Sequence, residues 1–318
     1  MSQPVFPALS SAHPPNRQSL GISTYRNWLQ LRTSVSAKLW TTFTIAMALV
    51  FIFRTPWLFP NGLELHLSPG EYYHFRIPLN KALLWTHLIC VIPAGLLAAT
   101  QFVPRIRTQA MGFHRYAGRI INILTFVSTI TGWGVAHVSF GGDLATRSAI
   151  YSLGVMTLWS VVKSWTAIRR LQIDEHRSWV IRAWSYQASV LTARLIMVLF
   201  IVYLTATGGH YYTLTCDEVA YVLKSQDLYA RNYPQCQPGW SEPQVKGVPI
   251  EANVADSTGL GFTSVARLAF GPSMCIAILV HVIGTEFYLF KTKTESDRLR
   301  EVSTKRQKIR QALKNKTS

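Results

Sequence analysis

The sequence lacks the short motifs by which most soluble enzymes are recognised. It has no glycine-rich phosphate loop, no Cys-x-x-Cys pair, no His-Glu-x-x-His and no nucleophile elbow. The doubled aspartates of metal-dependent prenyl diphosphate enzymes are also missing. These absences argue against magnesium-diphosphate chemistry, and we expect no metal ligands in this chain.

Charged residues are scarce and unbalanced. Only 15% of the 318 residues are charged, 49% are hydrophobic, and 32 Lys and Arg stand against 15 Asp and Glu. In a soluble protein such an excess of bases suggests nucleic-acid binding. Here the bases lie between long apolar runs instead of along one periodic face, so the composition predicts a membrane protein and no nucleic-acid partner.

Six apolar runs approach the roughly 20 residues that a helix needs to cross a bilayer core. They predict an all-α, polytopic membrane helix bundle over residues 39–290. The runs cover residues 39–58, 82–103, 119–139, 148–167, 183–206 and 267–290.

The basic residues predict the orientation of the bundle. Segments that alternate along the chain carry 22 Lys and Arg on one side and five on the other. Because cytoplasmic loops carry the excess of bases, both termini are predicted to be cytoplasmic. Residues 1–38 then form a disordered cytosolic lead, 208–262 a lumenal loop that acts as a small ordered lid, and 291–318 a basic cytosolic tail.

Two features bear on the compartment. Cys216 and Cys236 share the loop 208–262, and in the lumen of the endoplasmic reticulum they are either disulfide-bonded or two free thiols. The last five residues, Lys314 to Ser318, are similar to the dilysine retrieval signal of membrane proteins of that organelle. The retrieval signal favours the endoplasmic reticulum.

Several ionisable residues fall inside the apolar runs, where an unpaired charge costs several kcal/mol. They are His87, His137, Arg194, His281 and Glu286. Each is therefore a candidate functional residue, although Arg194 also suits a structural pairing and Glu286 could snorkel to the interface.

Two sequence blocks resemble a known family. His114-Arg-Tyr-Ala-Gly-Arg119 and His176-Arg-Ser-Trp-Val-Ile-Arg182, together with His87, match the pattern of a widespread family of predicted multi-span membrane proteins of unassigned function. The resemblance covers residues 80–205. Val180 stands where the family usually has Met, a change that conserves volume.

The overall build also resembles the integral-membrane terpene cyclases of fungal meroterpenoid pathways, such as those that make the macrophorin and ascofuranone skeletons. This resemblance implies an intramolecular isomerase or lyase that protonates the alkene or epoxide of a small hydrophobic prenylated substrate and needs no cofactor. The candidate acids in this sequence are Glu286, Asp174 and Glu175. His87 and His137 are weaker acids that suit epoxide opening.

Other residues are predicted to hold such a substrate. The guanidinium groups would orient its polar ring, the indoles would stabilise a carbocation, and the imidazoles near the basic blocks would contact it or anionic lipid head groups. The predicted substrate-binding residues are Arg182, Arg194, Trp85, Trp133, His114 and His176.

A rival hypothesis is a transmembrane oxidoreductase that binds haem b. Histidines at matched depth on different helices are suited to bis-His ligation of iron. The sequence offers two such pairs, His87 with His137 and His114 with His176. A transporter, a receptor or a scaffold also fits the composition.

Overall fold

A computed structural model describes residues 34–237 and 246–317. In chain order its elements are α1 (Ser34–Arg54), α2 (Gly62–His66), α3 (Tyr72–Phe75), α4 (Pro78–Gln101), α5 (Pro104–Gln109), α6 (Met111–Ala136), α7 (Leu144–Arg169), α8 (Ile173–Thr207), β1 (Tyr211–Thr215), α9 (Cys216–Leu223), α10 (Gln226–Asn232), β2 (Gly247–Glu251), α11 (Leu260–Lys291) and α12 (Lys293–Thr317). Short 3-10 turns lie at Thr55–Leu58, Ser139–Gly142 and Pro234–Cys236. The predicted disordered lead 1–38 lies outside the described residues except for its last five, which begin α1.

The all-α membrane bundle is confirmed. Within the described ranges, five helices are long and apolar enough to cross a bilayer, namely α1 with the turn that follows it, α4, α6, α8 and α11. The predicted fourth span corresponds to α7, which is 26 residues long but carries Arg147, Lys163 and Arg169 and is less apolar. It still runs from one end of the bundle to the other, because it connects segments that contact opposite ends.

The bundle has two ends of different chemistry. The loop end, formed by residues 55–77, 137–143, 208–237 and 246–259, is held together by contacts such as that of the Glu71 carboxylate with the Phe140 amide. The tail end, formed by residues 102–110, 170–172 and 292–317, is held by contacts such as that of Arg310 with the carbonyl of Arg169. Alternate segments therefore meet at the same end, as the charge count predicts. That the tail end faces the cytoplasm stays a prediction.

Small side chains let α8 and α11 approach closely. Ala193 of α8 and Ala266, Ala269 and Ala277 of α11 are buried in one core cluster. Small residues favour association of membrane helices, because lipid is as apolar as a large side chain and close packing supplies the attraction. His281 of α11 bridges the two helices further on, where its ring contacts the hydroxyls of Thr192 (2.8 Å) and Ser185 (3.3 Å).

Between α8 and α11, residues 208–237 and 246–259 form a cap at the loop end. Its strands pair antiparallel, with Tyr211 opposite Glu251 and Thr215 opposite Gly247. Thr215 begins α9 in a capping box: its hydroxyl accepts from the Glu218 amide, and its own amide donates to the Glu218 carboxylate. Cys216 is bonded to Cys236, so the structure has the disulfide and not the two free thiols.

Candidate functional site

A buried ionic cluster lies where the cap meets α11. Arg267 is only 2% exposed, and its Nη2 donates to Glu218 Oε1 at 2.9 Å. The His74 ring places Nε2 2.8 Å from the same carboxylate oxygen. Burial alone would raise the pKa of Glu218, but hydrogen bonds from His74 and Arg267 lower it well below its ordinary value. Glu218 is therefore a carboxylate at neutral pH, fully engaged in holding the cap on the bundle.

Glu71 is a second buried carboxyl group in the same region, but its pKa is shifted in the opposite direction. Its Oε2 accepts from the Phe140 amide at 3.0 Å, whereas Oε1 is buried with no hydrogen-bond partner among the described residues. Burial raises the pKa of Glu71, against the lowering effects of the Phe140 hydrogen bond and of the nearby Arg267, His74 and Arg194. Two neighbouring carboxyl groups whose environments push their pKa values apart are typical of an acid and its supporting charge.

Aromatic rings and a guanidinium lie next to Glu71. The rings of Phe140 and Phe270 stack with centroids 4.3 Å apart and planes 28° from parallel. Arg194, in the middle of α8, places Cζ 4.9 Å from the Phe140 centroid and 4.8 Å from that of Phe270. The negative faces of these rings are thus already used to stabilise a positive charge in a dry environment.

The backbone that covers Glu71 is strained. Phe140 has φ 48° and ψ 45°, and Gly141 and Gly142 follow with φ 78° and φ 57°. A left-handed conformation is costly for a residue with a side chain, of order 1–3 kcal/mol, and persists when the surroundings enforce it. A side chain at position 141 would collide with Tyr212 and Arg267, so this position requires glycine.

A mostly apolar groove opens on the outer face of α6 and α7, close to the loop end. Its volume is about 420 Å³, and its lining residues are Trp133, Gly134, His137, Tyr151 and Val155. His137 Nε2 lies 2.7 Å from the Tyr151 hydroxyl, and the rings of Trp133 and Tyr151 meet edge to face at 6.3 Å. Of the predicted site residues, the structure brings Trp133 and His137 together here.

Two further predicted site residues, Trp85 and His87, make their contacts outside this groove. The Trp85 indole donates to the Trp57 carbonyl at 3.0 Å and lies under the Lys81 ammonium. His87 packs against Gly132 and contacts the Ser128 carbonyl at 2.7 Å through Nδ1. Since a carbonyl only accepts, Nδ1 of His87 carries the proton.

The three acids proposed from the sequence lie away from this region. Glu286 accepts two hydrogen bonds from Arg182, at 2.7 and 2.8 Å, on a side chain that is 51% exposed. Asp174 is buried at the tail end, where it accepts from Ser303, and Glu175 beside it is exposed. Arg182 and Glu286 therefore form an ion pair between α8 and α11.

His114 and His176 meet at the tail end, as the paired blocks suggest. They lie close enough to each other and to Arg107 to interact electrostatically. His176 Nδ1 contacts the Ser164 carbonyl at 2.9 Å, which leaves Nε2 available, while Nδ1 of His114 is buried with no hydrogen-bond partner in the described part of the chain.

These contacts allow the two histidine pairs to be compared as haem ligands. A ligating imidazole commonly binds metal through one nitrogen and donates the other N–H to a carbonyl. His87 and His176 meet that condition, but Nε2 of His137 is taken by Tyr151, so the outer pair does not fit. In the inner pair, Nε2 of His176 is available, and Nδ1 of His114 has no hydrogen-bond partner among the described residues. Over residues 34–237 and 246–317, no three His, Cys, Asp or Glu side chains form a group that could hold a metal ion.

A comparison with protein families matches residues 84–222 to a family described as predicted membrane protein (DUF2306). The match begins inside α4 and ends inside α9, and it covers less than half of the chain. It includes His87, both basic blocks and Arg194, so the resemblance over residues 80–205 is confirmed at the level of this family model. No curated protein and no solved structure matches the chain.

Sequence reasoning missed Glu71, His74, Glu218 and Arg267. Two of them left a signal: Thr215 and Glu218 have the spacing of a capping box, and Arg267 opens an otherwise apolar run. Glu71 left none, because its burial arises from the packing of Phe140 against a helix that begins nearly 200 residues after it in the sequence.

Proposed function

We propose that this protein is an integral-membrane terpene cyclase in which Glu71 supplies the proton that starts cyclisation. The observation that carries the proposal is the Glu71 carboxyl group, buried, with Oε1 unpartnered and its pKa raised by burial. A carboxyl group that keeps its proton at neutral pH in a dry site is what alkene or epoxide protonation requires.

The reaction balances without a cofactor. Glu71 O–H gives its proton to one alkene carbon, the π bond breaks, and the other carbon becomes a cation. The prenyl chain closes as further π bonds attack the cation, and the last cation returns a proton to the Glu71 carboxylate, which ends the reaction and restores the acid. The product is an isomer of the substrate.

The neighbours of Glu71 suit the remaining steps. Arg194 lies over the rings of Phe140 and Phe270, and on substrate binding its guanidinium would turn to hold the oxygens of the substrate's polar ring. The ring faces that it leaves would then stabilise the cation. Glu218 and Arg267 would keep the cap in place and exclude water. The groove at Trp133 and His137 gives an apolar chain a route from the bilayer, and movement of the strained segment Ser139–Gly142 would expose Glu71.

The test is an isomerisation assay on membranes that contain the full chain, with prenylated phenols and epoxycyclohexenones as substrates and product mass as readout. We expect Glu71→Gln to lower turnover by about 100-fold or more, since the amide still accepts from Phe140 but gives no proton. Glu64→Gln, an exposed carboxylate in the same segment, is the matched control and should stay within about twofold. Full turnover of Glu71→Gln would overturn the assignment of the acid.

The same assay decides between Glu71 and the acids predicted from the sequence. Glu286→Gln, Asp174→Asn and Glu175→Gln should retain turnover, because their carboxylates are ion-paired, engaged with the tail or exposed. If one of them abolishes turnover and Glu71→Gln does not, the reacting centre lies near the tail end.

A haem-binding oxidoreductase is the second candidate, favoured by the His176 Nδ1–H donated to Ser164 with Nε2 left available beside His114. An absorption spectrum of the purified protein, oxidised and reduced with dithionite, tests it. A Soret band that shifts on reduction and disappears in His176→Ala would replace the cyclase proposal.

We also propose that the protein resides in the endoplasmic reticulum, on the strength of Lys314 and Lys316 near the C-terminus. Fluorescence microscopy of the full chain should show the reticulum, and Lys314→Ala with Lys316→Ala should move the protein to later compartments.

A further inference from the structure

The tail helix α12 is fastened across the end of the bundle by specific contacts. Ser303 Oγ donates to Asp174 Oδ1 at 2.8 Å and accepts from the Ile173 amide at 2.8 Å. One turn later, Gln307 donates to the Arg170 carbonyl at 3.0 Å, and Arg310 donates to the Arg169 carbonyl at 3.2 Å. These contacts fix the position of α12 relative to the turn between α7 and α8.

A basic groove results from this docking. Its volume is about 430 Å³, and it is lined by Arg169, Arg170, Leu171, Gln307, Arg310, Gln311 and Lys314. The lining thus combines four bases with no acid. This basic groove is an open concavity at the surface, next to the C-terminus of α7.

Bringing like charges together is unfavourable unless something offsets them. The carbonyl end of α7 contributes about half a negative charge, and Arg310 already makes use of it. Arg169 and Arg170 are exposed, and the groove lining offers their two guanidinium charges no acidic side chain. An anion with several oxygen acceptors would offset these charges, and guanidinium forks bind phosphate with two parallel hydrogen bonds.

We propose that the basic groove binds the phosphorylated head group of an anionic phospholipid. The groove lies at the ends of two helices that cross the bundle, which places it at the level of lipid head groups. The tail end is also the end predicted to face the cytoplasm, where the leaflet carries anionic lipids. This proposal does not depend on the cyclase activity.

Native mass spectrometry of the full-length protein in detergent tests the proposal. The probe is dioctanoyl phosphatidylinositol phosphate, with dioctanoyl phosphatidylcholine and inorganic phosphate as comparisons. We expect tight binding of the first alone, weakened about tenfold or more by Arg169→Gln with Arg170→Gln, since each loss removes a charge-assisted donor. The backbone carbonyls that dock α12 remain in that variant.

The matched control is Lys305→Gln with Arg306→Gln, which removes the same charge from the exposed side of α12 without touching the groove lining. It should change the affinity by less than about twofold, because exposed charges at a distance are screened. Equal weakening by both double variants would show attraction to net charge and overturn the site. Equal affinity for inorganic phosphate and for the lipid would overturn the lipid assignment.

Discussion

The two ends of the bundle use the same types of charged side chain in different ways. At the loop end, Arg267 and Glu218 are 2% and 4% exposed and are paired with each other. At the tail end, Arg169, Arg170 and Arg310 are exposed and carry one sign of charge. A buried charge needs a partner of opposite sign, so it affects the stability of the fold and the pKa values of its neighbours. A charge exposed to water is screened, so its main effect is on which ions or lipids the surface attracts.

The largest expected effect comes from breaking the buried ion pair of Glu218 with Arg267 at the loop end. Glu218→Gln leaves Arg267 and His74 facing an uncharged amide, and we expect a loss of about 3–5 kcal/mol in the free energy of unfolding. Thermal unfolding of the detergent-solubilised protein measures it. Asp227→Asn in the same cap is the control, because its ion pair with Arg231 is exposed and worth about 0–1 kcal/mol.

The same variant has a defined pH dependence. The folded pKa of Glu218 is lowered, so its stabilisation is present above the ordinary value of 4.5 and is lost as pH falls below it. The difference in stability between wild type and Glu218→Gln should therefore shrink from about pH 7 to about pH 3.5. A difference that stays constant over this range would show that Glu218 acts through packing and not through charge.

The disulfide is the next largest contribution at the loop end. Replacing Cys216 and Cys236 together by Ser opens a loop with a sequence separation of 20 and should cost about 3 kcal/mol. Cys275→Ser, at a free exposed cysteine, is the control. Because Glu218 lies two residues from Cys216, the combined variant should lose less than the sum of the two losses. Full additivity would mean that the disulfide does not help to position Glu218.

The comparison also explains what could be predicted from the sequence. The spans and the sorting of segments to two ends follow from local patterns, since apolar length and Lys and Arg counts need no tertiary information. Arg194 was identifiable because a guanidinium inside an apolar run is costly wherever the helix packs. Its partners Phe140 and Phe270 were not, because a sequence gives depth in the membrane but not helix order.

The candidate acid illustrates the limit most clearly. Glu286 lies in an apolar run and suggests a buried acid, but the packing of α8 against α11 supplies Arg182 as its partner. Glu71 lies in a polar segment after Pro69 and Gly70, where no local pattern indicates burial, yet Phe140 and α11 enclose it. The two residues share one lesson: the charge state of a carboxyl group depends on contacts that are distant in sequence.

The smallest expected effect concerns Ser303, which docks α12 on the tail end of the bundle. Ser303→Ala removes the hydroxyl that links Asp174 to the Ile173 amide, a loss of about 1–2 kcal/mol that acts on the docking of α12. Hydrogen exchange of the α12 amides should rise by about tenfold, while the cap at the loop end keeps its protection, since unfolding of a docked terminal helix is local. Thr304→Ala, exposed on the same helix, is the control. Exchange that rises at both ends together would mean that the two ends unfold as one unit. The buried ion pair of the loop end and the exposed basic groove of the tail end would then differ in chemistry but not in local stability.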